Sequence, residues 1–106
     1  MELLPEELKN QLPKLYSQEE TDDPKVFIKY FFPAGNWTRF VTEGELKGDD
    51  FTFFGYVIGL EKEWGYFTLN QLEEINIHGL TVERDLYFRQ ESFSLCLAHW
   101  KRERGE

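Results

Sequence analysis

Phe51-Thr52-Phe53-Phe54-Gly55-Tyr56-Val57-Ile58-Gly59-Leu60, joined through Glu61-Lys62-Glu63 to Trp64-Gly65-Tyr66-Phe67-Thr68, is the stretch that decides the fold. Its apolar run is ten residues long, about half of the roughly 20 that a membrane-spanning helix needs. Phe, Tyr, Val, Ile and Thr dominate it, so it reads as two strands, at 51–60 and 64–68. The connection between them is too short for a crossover, and the two must be antiparallel neighbours.

Upstream, Glu45 to Asp50 with Gly48 is a turn, and 37–43 is the strand before it. Pro33-Ala34-Gly35-Asn36 is a second turn, preceded by a strand at 26–32. Downstream, Thr68 and Gln71 form a capping-box pattern that opens a helix at about 69–75 with Leu69, Leu72 and Ile75 on one stripe. Asn76 to Gly79 closes it, and Val82 to Phe88 alternates as a fifth strand. Phe93, Cys96, Leu97 and Trp100 then mark one helical face, with basic residues in the last turn. At the other end, Pro5, Glu6, Glu7 and the spacing of Leu4, Leu8 and Leu12 predict a short helix at about 5–12, followed by an exposed acidic loop from Ser17 to Asp23. The 106 residues thus predict a single α+β domain, a mostly antiparallel sheet of four to five strands with short flanking helices.

Turns in these places set Tyr30 near Arg39 and Gly55, Ile28 near Val41 and Phe53, and Trp37 near Val57. Val26 and Phe51 share that face, while Phe27, Phe31, Phe40, Phe54, Tyr56, Ile58 and Phe67 take the opposite one. Neither face is polar, so both need covering. Aromatics make up 17% of the chain, and those that the small helices leave uncovered are where a partner protein would dock. A second copy of the chain, giving a homodimer, is the other occupant such a surface would take.

The charge narrows the partner. Twenty acidic residues against twelve Lys and Arg leave a net charge of −8, with seven acids and two lysines in residues 1–24 and six acids and two bases in residues 61–88. The only basic concentration is Lys101, Arg102 and Arg104, so nucleic-acid binding is disfavoured and a basic protein is the favoured partner. Cys96 is the only cysteine, which excludes a disulfide scaffold. The N-terminus is acidic where a secretory signal is basic, and the expected compartment is the cytoplasm.

Catalytic material is sparse. His78 and His99 have no second cysteine to complete a metal set, Cys96 lies on an apolar helical face, and a Cys96–His99 pair has no visible orienting carboxylate. Gly55-x-x-x-Gly59 lacks the lysine of a phosphate loop and reads as close packing against large aromatics. No cofactor motif is present. Carboxylates at Glu43, Asp49, Asp50, Glu61 and Glu63 are the alternative, as acid–base groups or holders of a divalent cation in a hydrolase. Arg39 among Tyr30, Trp37 and Phe53 either stacks as core edge or presents its guanidinium to an anion.

Leu12-Pro13-x-Leu15-Tyr16, Asp23-Pro24, Asn36-Trp37-Thr38, Val41-Thr42-Glu43, Gly48-Asp49-Asp50-Phe51, Phe53-Phe54-Gly55, Glu63-Trp64-Gly65-Tyr66-Phe67 and Glu83-Arg84-Asp85-Leu86 resemble, in order, the bacterial domain-of-unknown-function family twenty-nine fifty-eight. The resemblance covers about residues 3–89 and leaves 90–106 as a basic C-terminal extension. It implies a small protein of plasmids, conjugative elements or phages, and carries over no activity and no catalytic residue. The expected function is a non-enzymatic, protein-binding accessory factor of such an element, of the kind that inhibits restriction or an RNA-guided nuclease. Tyr30, Trp37, Arg39, Glu43, Asp49, Asp50, Glu61 and Glu63 are its candidate partner-binding residues, facing a basic protein of the host or the element.

Overall fold

A computed structural model describes all 106 residues, Met1–Glu106. The chain runs through α1 (Glu6–Gln11), β1 (Lys25–Val26), β2 (Ile28–Phe31), β3 (Thr38–Lys47), β4 (Asp50–Ile58), β5 (Lys62–Thr68) and α2 (Leu69–Glu73). It continues through β6 (Asn76–Ile77), β7 (Leu80–Thr81), β8 (Glu83–Arg84), β9 (Glu91–Ser92) and α3 (Phe93–Glu103). The expected α+β domain is what these elements build: a five-stranded antiparallel sheet in the order β5-β4-β3-β2-β8, with three short helices. Two small pairs, β1 with β9 and β6 with β7, stand beside it. No helix is long and apolar enough to cross a membrane.

The deciding hairpin forms, with its turn at Gly59-Leu60-Glu61 rather than at Glu61-Lys62-Glu63, because Ile58 pairs with Lys62. Phe67 accordingly lies opposite Phe53, on the face that also carries Phe51, Ile28, Tyr30 and Val41. That corrects its expected placement beside Phe54 and Tyr56. The β3–β4 hairpin is longer than expected: β3 runs on to Lys47, which pairs with Asp50 around Gly48-Asp49. Arg39 therefore sits opposite Val57 and Val41 opposite Gly55, a two-residue offset that preserves the faces.

What does exchange the faces is a β-bulge. Val41 pairs with Gly55 but Glu43 pairs with Phe54, leaving Thr42 as the extra residue. Before it, Val41 faces the α1 side; after it, Gly44 takes that side and Glu43 and Glu45 pass to the other. Gly55 is required here, since a Cβ on it would stand 2.1 Å from the carbonyl oxygen of Phe40. Its close neighbour is the β3 backbone and not the aromatic rings that the sequence suggested.

Each face has its own cover. On one, Leu3, Leu4 and Leu12 from the N-terminal segment and Leu72 of α2 pack on Ile28, Tyr30, Val41, Phe51, Phe53 and Phe67. Thr68 caps α2 with the reciprocal bonds expected of its pairing with Gln71. On the other, Cys96 and Trp100 of α3 pack on Val26, Phe40 and Ile58. Burying side chains of this size stabilises by about 2 kcal/mol each before conformational entropy is charged against it. Because α3 is short, it covers only part of its face.

Residues 82–88 do not form the continuous fifth strand expected of them. Only Glu83–Arg84 pair with β2. Asp85 then ends the strand, its carboxylate accepting the N–H of Tyr87 at 2.9 Å while its carbonyl accepts that of Phe88 at 3.3 Å. Between α2 and β8 lies a hairpin the sequence did not announce, β6–β7, turning on His78 (φ 55°) and Gly79 (φ 86°), both left-handed as a two-residue primed turn requires.

Candidate functional site

The bulge places Glu43 beneath the segment from Leu15 to Pro24, and this is where a site forms. The Glu43 carboxylate is 3% exposed. One oxygen accepts the N–H of Tyr16 at 2.8 Å, the other that of Gln18 at 2.7 Å. Glu45, two residues on and on the same face, accepts the N–H of Leu15 at 3.0 Å. The Gln18 amide donates to the Thr42 carbonyl at 2.8 Å and takes the Lys25 N–H at 3.0 Å. The start of the expected acidic loop is therefore stapled to the sheet, while Glu19, Glu20, Asp22 and Asp23 remain exposed.

Its far end is fastened to α3. Ser92 supplies no side-chain cap to that helix. Instead Asp23 accepts the N–H of Ser94 at 2.8 Å and its hydroxyl at 2.6 Å. The Ser94 hydroxyl and N–H hold the Asp23 carboxyl below its ordinary value. Tyr16 is left with φ 73°, a left-handed conformation that a bulky residue rarely adopts.

Between this strap and the sheet lies a groove of about 310 Å³. Glu43 and Thr42 line its floor, Phe54, Trp64 and Tyr66 one wall, and Tyr16, Glu19 and Asp22 the other. The aromatic wall follows from strand pairing: Phe54 faces Tyr66 and Tyr56 faces Trp64 across β4 and β5, all on one side. Their rings pack in a chain, Tyr66 tilted on Phe54 at 4.9 Å, Phe54 stacked on Trp64 at 5.7 Å and Trp64 tilted on Phe93 of α3 at 4.7 Å. Tyr66 stays 54% exposed and Tyr16 56%, so the rings are held yet open to solvent. The Tyr66 phenol is pushed up by the neighbouring Tyr16 side chain, then by desolvation and by the negative charge of Glu43 and Glu19.

Of the eight residues that the sequence nominated, Glu43 alone lines this groove. Tyr30 is completely buried, its hydroxyl donating to the Leu3 carbonyl at 2.7 Å, and burial drives its pKa up. It is a core residue and offers no surface. Arg39 stacks over Trp37 at 4.5 Å and Phe67 at 4.8 Å, which makes it core edge; burial pushes its pKa down, and its Nε has no partner. Asp50 fastens α2 to β4, accepting N–H groups from Phe51 at 2.8 Å and Asn70 at 3.1 Å. Burial works to raise its pKa and these bonds outweigh it, leaving the carboxyl below its ordinary value. Asp49, Glu61 and Glu63 are exposed at the two hairpin ends. No three His, Cys, Asp or Glu side chains stand close enough together to hold a metal ion.

Cys96 and His99 do not form a pair. The thiol donates to the Glu91 carbonyl at 3.8 Å, and His99 turns to the Glu91 carboxylate at 3.4 Å. Burial pushes the Cys96 thiol up to about 11, which keeps it protonated at neutral pH.

Sequence reasoning missed Tyr16, Trp64 and Tyr66. The signal present was the alternation Phe54-x-Tyr56 against Trp64-x-Tyr66, which puts four rings on one face once the turn is placed at Gly59-Leu60-Glu61. No curated protein and no solved structure matches the chain. The model of the family described as Protein of unknown function (DUF2958) matches residues 3–105, from the buried Leu3 through the whole of α3. The chain belongs to that family.

Proposed function

We propose that the chain is a non-enzymatic, protein-binding accessory factor of a plasmid, conjugative element or phage, and that it grips a basic protein through the groove of Glu43, Tyr16, Trp64 and Tyr66. The role that suits such an element is inhibition of a host defence protein, a restriction enzyme or an RNA-guided nuclease, whose nucleic-acid surface is basic. One observation carries the reading. Glu43 is a buried carboxylate with no Lys, Arg or His paired to it, at the floor of a groove whose open wall is aromatic. A buried charge is tolerated where it is hydrogen-bonded or paired, and here the strap's two N–H groups are its partners while no cation of this chain is. Exposed Tyr and Trp beside it are the residue types that anchor protein interfaces. The net charge of −8 adds attraction at a distance, felt as a faster association that weakens with salt.

The test is affinity capture from a bacterial host with the intact chain and with the paired substitution Trp64→Ala and Tyr66→Ala, each at low and high salt. A basic protein retained by the natural sequence at low salt, released by salt and lost from the variant is the expected result. Equal retention by both chains would remove the groove from the reading.

A further inference from the structure

The groove has a narrower chemistry than basic surfaces in general. Resting on the reading just given, we infer that it is a seat for a single arginine side chain, its guanidinium lying against the rings of Tyr66 and Trp64 and its N–H groups directed at the Glu43 carboxylate. At about 310 Å³ the space is at the small end of ligand pockets, room for one side chain and not for a folded surface. Its polar floor is a carboxylate, each of whose oxygens takes one N–H from the strap and keeps acceptor capacity. Glu19 and Asp22 stand at the rim without a basic partner, so the opening is negative on the side away from the rings.

Arginine fits this set better than lysine for three physical reasons. A guanidinium is flat and stacks on aromatic faces, its fork of donors matches a carboxylate, and it sheds water more easily than an ammonium group. The molecule itself repeats the pairing elsewhere: Arg39 lies over Trp37 and Phe67, and Arg104 lies over Trp100 at 4.0 Å. In the groove the rings are in place and no guanidinium of this chain reaches them. Neutral or anionic side chains would leave Glu43 without a counter-ion.

The experiment titrates the isotope-labelled intact chain with N-acetyl-arginine methylamide, its lysine counterpart and its uncharged citrulline counterpart, following backbone amides and the Trp64 indole by NMR. The arginine compound is expected to shift Tyr16, Gln18, Trp64 and Tyr66 and to saturate, the lysine compound to bind several-fold more weakly, and citrulline not at all. Tyr66→Ala, an exposed position whose loss spares the core, is expected to weaken arginine binding about tenfold with the remaining spectrum unchanged. Glu43→Gln, which keeps one acceptor oxygen for the strap and sets its NH2 against the second N–H, is expected to weaken arginine binding as well, with changes in its free spectrum confined to the strap around Tyr16 and Gln18. Equal shifts with citrulline and arginine, or shifts confined to other surfaces, would overturn the arginine seat. If a basic protein is still captured through Trp64 and Tyr66 while arginine binds no better than lysine, the seat fails and the proposed function stands. If arginine saturates the groove but no protein depends on it for capture, the proposed function fails and the seat stands.

Discussion

The Glu43 carboxylate is held 2.8 Å from the backbone N–H of Tyr16, and it reaches that position only because one extra residue, Thr42, turns it to the opposite face from Val41. Without the bulge, alternation would bury Glu43 among Phe51, Phe53 and Leu12. With it, the carboxylate organises the strap from Leu15 to Gln18 and faces the groove. Replacing it by alanine leaves two loop N–H groups without acceptors, and charge-assisted bonds of this kind are worth about 2 kcal/mol in all after desolvation. Glu43→Ala is expected to lower the urea midpoint and to speed amide exchange at Tyr16 and Gln18, with Glu43→Gln losing less. Unchanged exchange at both amides would contradict this role.

Gly55 and Gly65 face each other across β4 and β5, yet only one is constrained. A Cβ on Gly55 meets the Phe40 carbonyl at 2.1 Å, a backbone atom that moves only if β3 moves, whereas nothing lies within 4 Å of one on Gly65. Gly55→Ala is expected to cost about 3 kcal/mol or to prevent folding. Gly65→Ala is expected to be neutral or to stabilise by about 0.5 kcal/mol through the unfolded chain. Thermal unfolding of the two variants side by side checks the register at the bulge.

Acid should loosen the end of the strap. Asp23 has a folded value below its ordinary 3.8, because the hydroxyl and N–H of Ser94 favour the carboxylate. Between those values the unfolded chain holds more protons, so its contribution is full above 3.8 and disappears as pH falls through the folded value. Asp23→Asn is expected to lower Tm at neutral pH, and the gap from the natural chain should shrink on acidification. A gap that is constant down to low pH would show that the charge of Asp23 does not cap α3.

Cys96 should be inert in the folded chain. Its thiol, pushed up to about 11 by burial under α3, is expected to react with a disulfide reagent at pH 8 only as fast as the protein opens. Prompt reaction under native conditions would place α3 off the sheet.

Much of this fold was legible because the deciding signals are local. The capping box of Thr68 and Gln71 needs four consecutive residues, and the apolar face of Phe93, Cys96, Leu97 and Trp100 needs two helical turns. The bulge was not legible, since Thr42 has no glycine or proline beside it to mark a break and the extra residue is accommodated by Gly55 on another strand. The strand expected over 82–88 failed for a similar reason: its alternation is sound, but the Asp85 side chain captures the Tyr87 N–H and closes a turn instead. Glu43 was nominated for its charge. What makes it a site, the strap above it and the rings of Trp64 and Tyr66 beside it, comes from segments distant in the chain and depends on the register of three strands.

A partner held at this groove, as proposed, will be trapped by site-specific photocrosslinking in a bacterial host. A benzoyl-phenylalanine at Tyr66 sits in the groove wall, and one at Leu86, exposed beyond β8 at the opposite edge of the sheet, serves as the control. A cross-link from position 66 to a basic protein, reduced by salt and absent from position 86, is the expected result. Cross-linking from position 86 with none from position 66 would contradict it.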